Sequence, residues 1–182
     1  MSTTVTDTDK GYRALMGVLG DLSGAGVDVG ILQDKGSFKD EDSGITLAGY
    51  AAVNEFGSED GHVPERSFLR STVDERQDEY GRELDRAMGE AVDGAIRGGQ
   101  SGALAALDRG LGRLGARAAR DVQSKIRAGG EPFKKNAPST LSAKYPADKP
   151  LIEEGRMRQS ISFAVDLGNG RTGSTGAGEG AA

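Results

Sequence analysis

Two consecutive helical patterns of opposite charge, divided by a glycine pair, constrain this chain more than any other feature. Val73, Tyr80, Leu84, Ala87, Met88, Ala91, Val92 and Ala95 recur every three or four positions, the period of a helix that buries one face. Thr72 and Glu75 have the capping-box spacing, in which the hydroxyl accepts from the third amide and the carboxylate reaches back. Gly98 and Gly99 end this helix. A second starts near Ser101, with Leu104, Leu107, Leu111, Leu114, Ala118 and Val122 forming a narrow seam suited to helix–helix packing. Gly129 and Gly130 close it. Interior Gly110, Gly112 and Gly115 cost about 1 kcal/mol each relative to Ala. Either they admit a neighbouring backbone or they mark a weak, kinked helix.

From Asp74 to Arg97 there are eight carboxylates against four arginines. From Asp108 to Arg127 there are two carboxylates against six cations. The two helices can pair as an antiparallel hairpin, or their charges can meet between subunits of an assembly, with Arg113 and Arg117 as the contact candidates. A third use of the basic helix 109–127 is DNA binding by an accessory protein. Pairing or assembly is preferred, because nearby acids cancel the field that attracts phosphate and the chain as a whole carries a net charge of -5.

The remaining pattern is mixed. Tyr12, Leu15, Met16, Leu19 and Leu22 give a first apolar helical stripe. Val27, Val29 and Ile31 alternate with Asp28 and Gly30, as do Ile161, Phe163 and Val165 with Ser162, Ala164 and Asp166; both read as strands. Asp34 to Gly44 reads as a loop, and Ile45 to Phe56 as a short helix stopped by Gly57. Pro64 makes Val63 to Leu69 an extended edge segment. Four prolines between 131 and 150 make a long loop. Two strands do not make an independently stable sheet, so Gly36 to Ile45, Val63 to Leu69 or neighbouring subunits must supply more. The expected architecture is α+β: a small sheet packed with two long helices, an extended Pro-rich loop and flexible termini. The 182 residues divide into a flexible arm over 1–10, one domain over 11–167, and a Gly-rich tail over 168–182 expected to be disordered.

Chemistry is sparse. The absence of Cys excludes disulfides and thiolate metal sites, and a single His makes a metal cluster or a His-based triad improbable. Asp40, Glu41 and Asp42 read as a solvated loop, and His62 as a surface residue. Gly168, Gly170 and Gly173 have dinucleotide-binding spacing, but no helical pattern comes after them, so that reading fails on context. No catalytic or metal residues and no cofactor are expected. The Thr-rich start lacks the apolar core of a secretory leader, and no apolar run approaches the roughly 20 residues of a membrane span. A soluble, cytoplasmic chain with no membrane partner is expected.

Two segments resemble a known family. The first is Ala52-Val53-Asn54-Glu55-Phe56-Gly57-Ser58 followed by Val63-Pro64-Glu65-Arg66-Ser67-Phe68-Leu69-Arg70. The second is Ala137-Pro138-Ser139-Thr140-Leu141 to Lys144, then Lys149-Pro150-Leu151-Ile152, Gly155-Arg156-Met157 and Ser160-Ile161. In order and spacing they resemble the neck, or tail-completion, proteins of long-tailed bacteriophages, which include Mu-like virion morphogenesis and lambda-type minor tail proteins. Ser67 stands where that pattern has Pro, and Glu153-Glu154 where it has Asp-Thr. The resemblance implies a structural virion protein of the head–tail connector. It would form a ring of six copies beside connector, tail-terminator or tail-tube proteins, with DNA passing through the lumen. A tail-terminator or head-closure subunit is the alternative within the class. Asn54, Glu55, Phe56, Gly57, Pro64, Arg66, Phe68, Leu69, Arg70, Leu151, Ile152, Gly155, Arg156 and Arg158 are the motif and interface candidates. Of these, Asn54 and Glu55 are placed to cap or tether the next loop, Phe68 and Leu69 to anchor the chain, and the arginines to contact other subunits.

Overall fold

The computed structural model describes residues 12–21, 24–39, 44–129, 133 and 155–177. The arm 1–10, most of the Pro-rich loop, Leu151 and Ile152 lie outside the described residues.

The fold is α+β. Helix α1 (Tyr12–Asp21) leads to strand β1 (Gly26–Ile31), a helical turn α2 (Gln33–Gly36) and helix α3 (Leu47–Phe56). The long element α4 (Arg70–Ala128) comes next, then a short helix α5 (Arg156–Gln159) and strands β2 (Ile161–Asp166) and β3 (Thr172–Ala177). Inside α4 the backbone leaves helical geometry at Gly98 (φ -135°, ψ 17°) and Gly99 (φ 62°, ψ -154°). The positive φ at Gly99 is a conformation that costs glycine little, and here the chain turns back on itself. The element is therefore an antiparallel hairpin with a first arm, 70–97, and a second arm, 100–128.

The charge pairs run along that hairpin in antiparallel order. Arg113 Nη2 lies 2.7 Å from Glu90, and Arg117 bridges Glu83 at 3.1 Å and also Glu79. Arg76 reaches Asp121 at 3.4 Å, and Lys125 pairs with Glu75. The opposite charges of the two helices therefore join within one chain.

The sheet is antiparallel with order β1-β2-β3. β1 pairs with β2 from Gly26↔Asp166 to Ile31↔Ile161. The third strand comes from neither expected segment: among the described residues, Gly36 to Ile45 contributes a bridge from Lys39 to Thr46, and Val63 to Leu69 forms no strand. It comes instead from the tail that composition marked as disordered. Thr172–Ala177 pairs with β2 across a turn in which Gly168, Asn169 and Gly170 all have positive φ. Asp166 Oδ1 accepts from Gly168 N–H at 2.7 Å, and Arg171 C=O accepts from Leu167 N–H at 2.9 Å.

β3 has no large apolar side chain, so its order has another source. The Asp108 carboxylate on the second arm accepts from Ser174 N–H at 2.6 Å and from Ser174 Oγ at 2.9 Å. A Cβ on Gly176 would lie 2.8 Å from the Phe163 ring, so the strand sits flat on an aromatic face that a side chain would lift it from. Ladder bonds and one carboxylate clasp replace hydrophobic alternation.

The second arm lies between the first arm and the sheet. Leu107, Leu111, Val122 and Ile126 are fully buried against Phe163, Val165, Ile161, Met157 and Phe68. A Cβ on Gly115 would lie 2.7 Å from Phe163 Cγ, nearer still to Cδ2, and 2.9 Å from Val27, and one on Gly112 2.7 Å from Ser174 Oγ. The interior glycines are thus close-approach positions, and helical geometry continues through them.

Three sequence expectations are corrected. Val73 and Leu84 are 45% and 44% exposed; the buried face of the first arm is Ala87, Ala91 and Ala95. Those three alanines belong to the expected face, and Tyr80, Met88 and Val92 are half-buried on it, so the correction concerns Val73 and Leu84 alone. Thr72 and Glu75 form no capping box. The helix has already begun at Arg70, Thr72 Oγ1 donates to Phe68 C=O at 2.6 Å, and Glu75 joins Lys125. On α1, Tyr12 and Met16 of the expected apolar stripe are exposed.

Candidate functional site

The first resemblance segment folds into one polar junction between α3 and the hairpin. Thr46 starts α3, its Oγ1 accepting from Gly49 N–H at 3.1 Å as helix caps do. Gly57 ends it at φ 81°, where a Cβ would lie 3.1 Å from Glu65 N and 3.2 Å from Val63 O. That close fit returns the chain along α3. Ser58 N–H donates to Val63 C=O at 2.9 Å, and Arg66 N–H to Asn54 C=O at 2.8 Å.

Glu55 is the centre of this junction. It is 4% exposed. Its Oε2 accepts from Phe68 N–H at 2.8 Å and Leu69 N–H at 2.9 Å. Its Oε1 accepts from Arg70 N–H at 2.9 Å, Ser67 Oγ at 2.7 Å and Arg70 Nε at 3.3 Å. These amides run into the start of α4: Phe68 and the N-cap Leu69 precede the helix and Arg70 opens it, where leading N–H groups lack partners within the helix. A carboxylate there also meets the positive end of the helix dipole. Burial works to raise the Glu55 pKa, but the Leu69, Arg70 and Phe68 amides and the Ser67 hydroxyl outweigh it and hold the group below its ordinary value. The sequence placed Glu55 as a cap or tether for the next loop; the structure makes it the N-terminal cap of the long hairpin.

Asn54 and Arg66 are also buried. Asn54 Nδ2 donates to Tyr50 C=O at 2.9 Å, and its Oδ1 accepts from Arg66 Nη1 at 3.5 Å. Burial lowers the Arg66 pKa, partly offset by Tyr50. Arg66 is therefore an internal strut within the chain, 7% exposed. Phe68 is 3% exposed and enters the core cluster, Leu69 packs on its edge, and Pro64 is half-buried.

Phe56 and Arg70 face outward. Phe56 is 63% exposed, and the Arg70 guanidinium stacks over its ring at 4.9 Å while its Nη2 bonds Glu65 at 2.6 Å. Val53 and Val73, also exposed, lie on the same two helices. His62 and Asp60 pair at 3.1 Å in the exposed loop beyond Gly57.

Of the second segment, Gly155 (φ 71°) opens α5, Met157 is buried and Ile161 begins β2. Arg156 is exposed and Arg158 half-buried. Arg113 and Arg117 hold the hairpin together through Glu90, Glu79 and Glu83. The structure thus unites residues 54–70 in one site, joins Met157 and Ile161 to the same core, and places Arg113 and Arg117 elsewhere. Sequence reasoning missed the Asp108 clasp on β3 and the Tyr80–Asp121 hydrogen bond of 3.0 Å. Two acids amid six cations were the available signal.

Among the described residues no group of three or more His, Cys, Asp or Glu is placed to hold a metal ion, and no helix is long and apolar enough to cross a membrane. No protein-family model, curated protein or solved structure matches the chain.

Proposed function

We propose that this chain is a non-enzymatic structural subunit of the neck of a tailed bacteriophage particle. It assembles as a ring at the head–tail junction and completes the tail for joining to the head. The observation that carries the reading is the junction built by residues 54–70. The segment that resembles neck proteins forms one physical device here: Glu55 caps the hairpin, Gly57 turns the chain back, and Phe68 anchors it. Phe56 and Arg70 of the same segment remain at the surface, stacked on one another. A subunit whose rigid hairpin and exposed aromatic–cation pair are held by one cap is suited to repeated assembly contacts.

The test is genetic and morphological. Inactivating the gene in its parental genome should leave heads and tails accumulating separately, visible by electron microscopy. Adding back purified protein should restore joined particles. Normal yields of complete particles without the protein would overturn the reading.

A further inference from the structure

The hairpin sorts its charges into two sets. Glu75, Glu79, Glu83 and Glu90 face the second arm and are paired there. Asp74, Asp78 and Asp85 are exposed. At about 100° per residue these three fall within about 40° of one another, on the side of the helix opposite Tyr80, Ala87 and Glu90. They form an acidic stripe that points away from the second arm, with exposed Arg82 at its edge.

The second arm carries the complement. Arg109, Arg120 and Arg127 are exposed and fall within about 20° of one another. Arg113, half-exposed while it bridges Glu90, lies on the same ridge. This ridge runs between the side that meets the first arm (Arg117, Asp121) and the side that meets the sheet (Gly112, Gly115), opposite buried Leu107 and Leu111. The acidic stripe extends over about 16 Å of helix and the arginine ridge over about 27 Å. Because the acidic stripe points away from the second arm, the two cannot meet within one chain.

We infer that the acidic stripe of one copy docks on the arginine ridge of the next. The occupant is a second copy of this chain because each copy presents both signs, on two arms of one hairpin, in different directions. Such an interface is heterologous, and repeated around an axis it closes a ring. The inference rests on the ring proposed above and names the surfaces that build it. The inner charges make the hairpin and the outer ones make the contact. Complementary stripes of this kind govern register and association rate.

The test uses the full chain and two double variants, Arg109→Glu/Arg120→Glu and Asp78→Arg/Asp85→Arg. All four positions are exposed, so both variants should keep the wild-type melting profile. Light scattering at low salt should show a wild-type oligomer that dissociates as salt rises from about 0.1 M to about 1 M, where the Debye length shrinks from about 10 Å to about 3 Å. Each variant alone should be monomeric. Mixed in equal amounts, the two should assemble again, because one now carries acid on both faces and the other arginine on both, and only even copy numbers should form. A wild-type ring unchanged by either variant would overturn the stripe contact and leave the ring reading standing. A wild-type chain monomeric at every salt and protein concentration would overturn both. Salt-sensitive duplex DNA binding, lost in Arg109→Glu/Arg120→Glu with no change in assembly, would show that the ridge serves phosphate and would also overturn the contact.

Discussion

Gly110 packs against Ala87 with no room for a methyl group between them: a Cβ on Gly110 would lie 2.9 Å from the Ala87 Cα and nearer still to its Cβ. The separation of the two hairpin arms is set here. Gly110→Ala should therefore destabilise the fold by about 1–3 kcal/mol through overpacking, although Ala is the better helix former by about 1 kcal/mol. Gly81 and Gly89 lie in the first arm with nothing within 4 Å of such a Cβ, and Gly81→Ala should raise stability by about 0.5–1 kcal/mol. Urea denaturation of the two variants should give shifts of opposite sign.

Removing the Glu55 carboxylate strands the Phe68, Leu69 and Arg70 amides. Glu55→Ala should cost about 2–4 kcal/mol. The folded-state pKa is lowered, so the contribution is present above the ordinary carboxyl value of 4.5 and is lost as pH falls through the lower folded value. Melting curves from pH 6 to pH 3 should fall less steeply for Glu55→Gln than for the wild type. Parallel curves would show that the cap is not ionised.

Tyr80 donates to Asp121 at 3.0 Å. Burial, then the Asp121 charge and hydrogen bond, push its phenol well above the ordinary value of 10, against the opposing pull of Arg76 and Arg117. A raised folded pKa gives stability that is present below pH 10 and lost as pH rises through the folded value. Tyr80 should fail to ionise in an absorbance titration until the chain unfolds, and Tyr80→Phe should remove that late component.

Leu84 stands in solvent at 44% exposure, whereas Leu107 is 1% exposed. Leu84→Asp should change stability by less than about 0.5 kcal/mol, and Leu107→Ala should lower it by about 2–5 kcal/mol. Comparable losses in the two variants would contradict the assigned face.

Strand β3 should behave as part of the sheet. Amide exchange at the residues bonded to β2 should be slow in the isolated chain. Asp108→Ala should speed it by freeing Ser174, and truncation after Asn169 should lower the melting temperature by uncovering Phe163 and Val165.

Periodicity and punctuation in the sequence determined the local elements by themselves: the hairpin arms on either side of Gly98-Gly99, the helix stopped at Gly57, and the strands around Val29 and Phe163. These arise from residues acting on their near neighbours, so a linear reading finds them. Glu55 was legible as a tether because it sits at a helix end beside a loop. Tertiary structure alone decided which charges are internal. Glu79 and Asp78 are adjacent and chemically alike, yet one meets Arg117 and the other meets solvent, because the hairpin's rotation selects between them. It also decided that a Thr–Gly–Ser tail becomes an edge strand. That segment buries too little apolar surface to order itself, and its order comes from an Asp108 carboxylate 66 residues earlier in the chain and from a ladder to β2. Interactions between distant residues leave no period in the sequence that makes them.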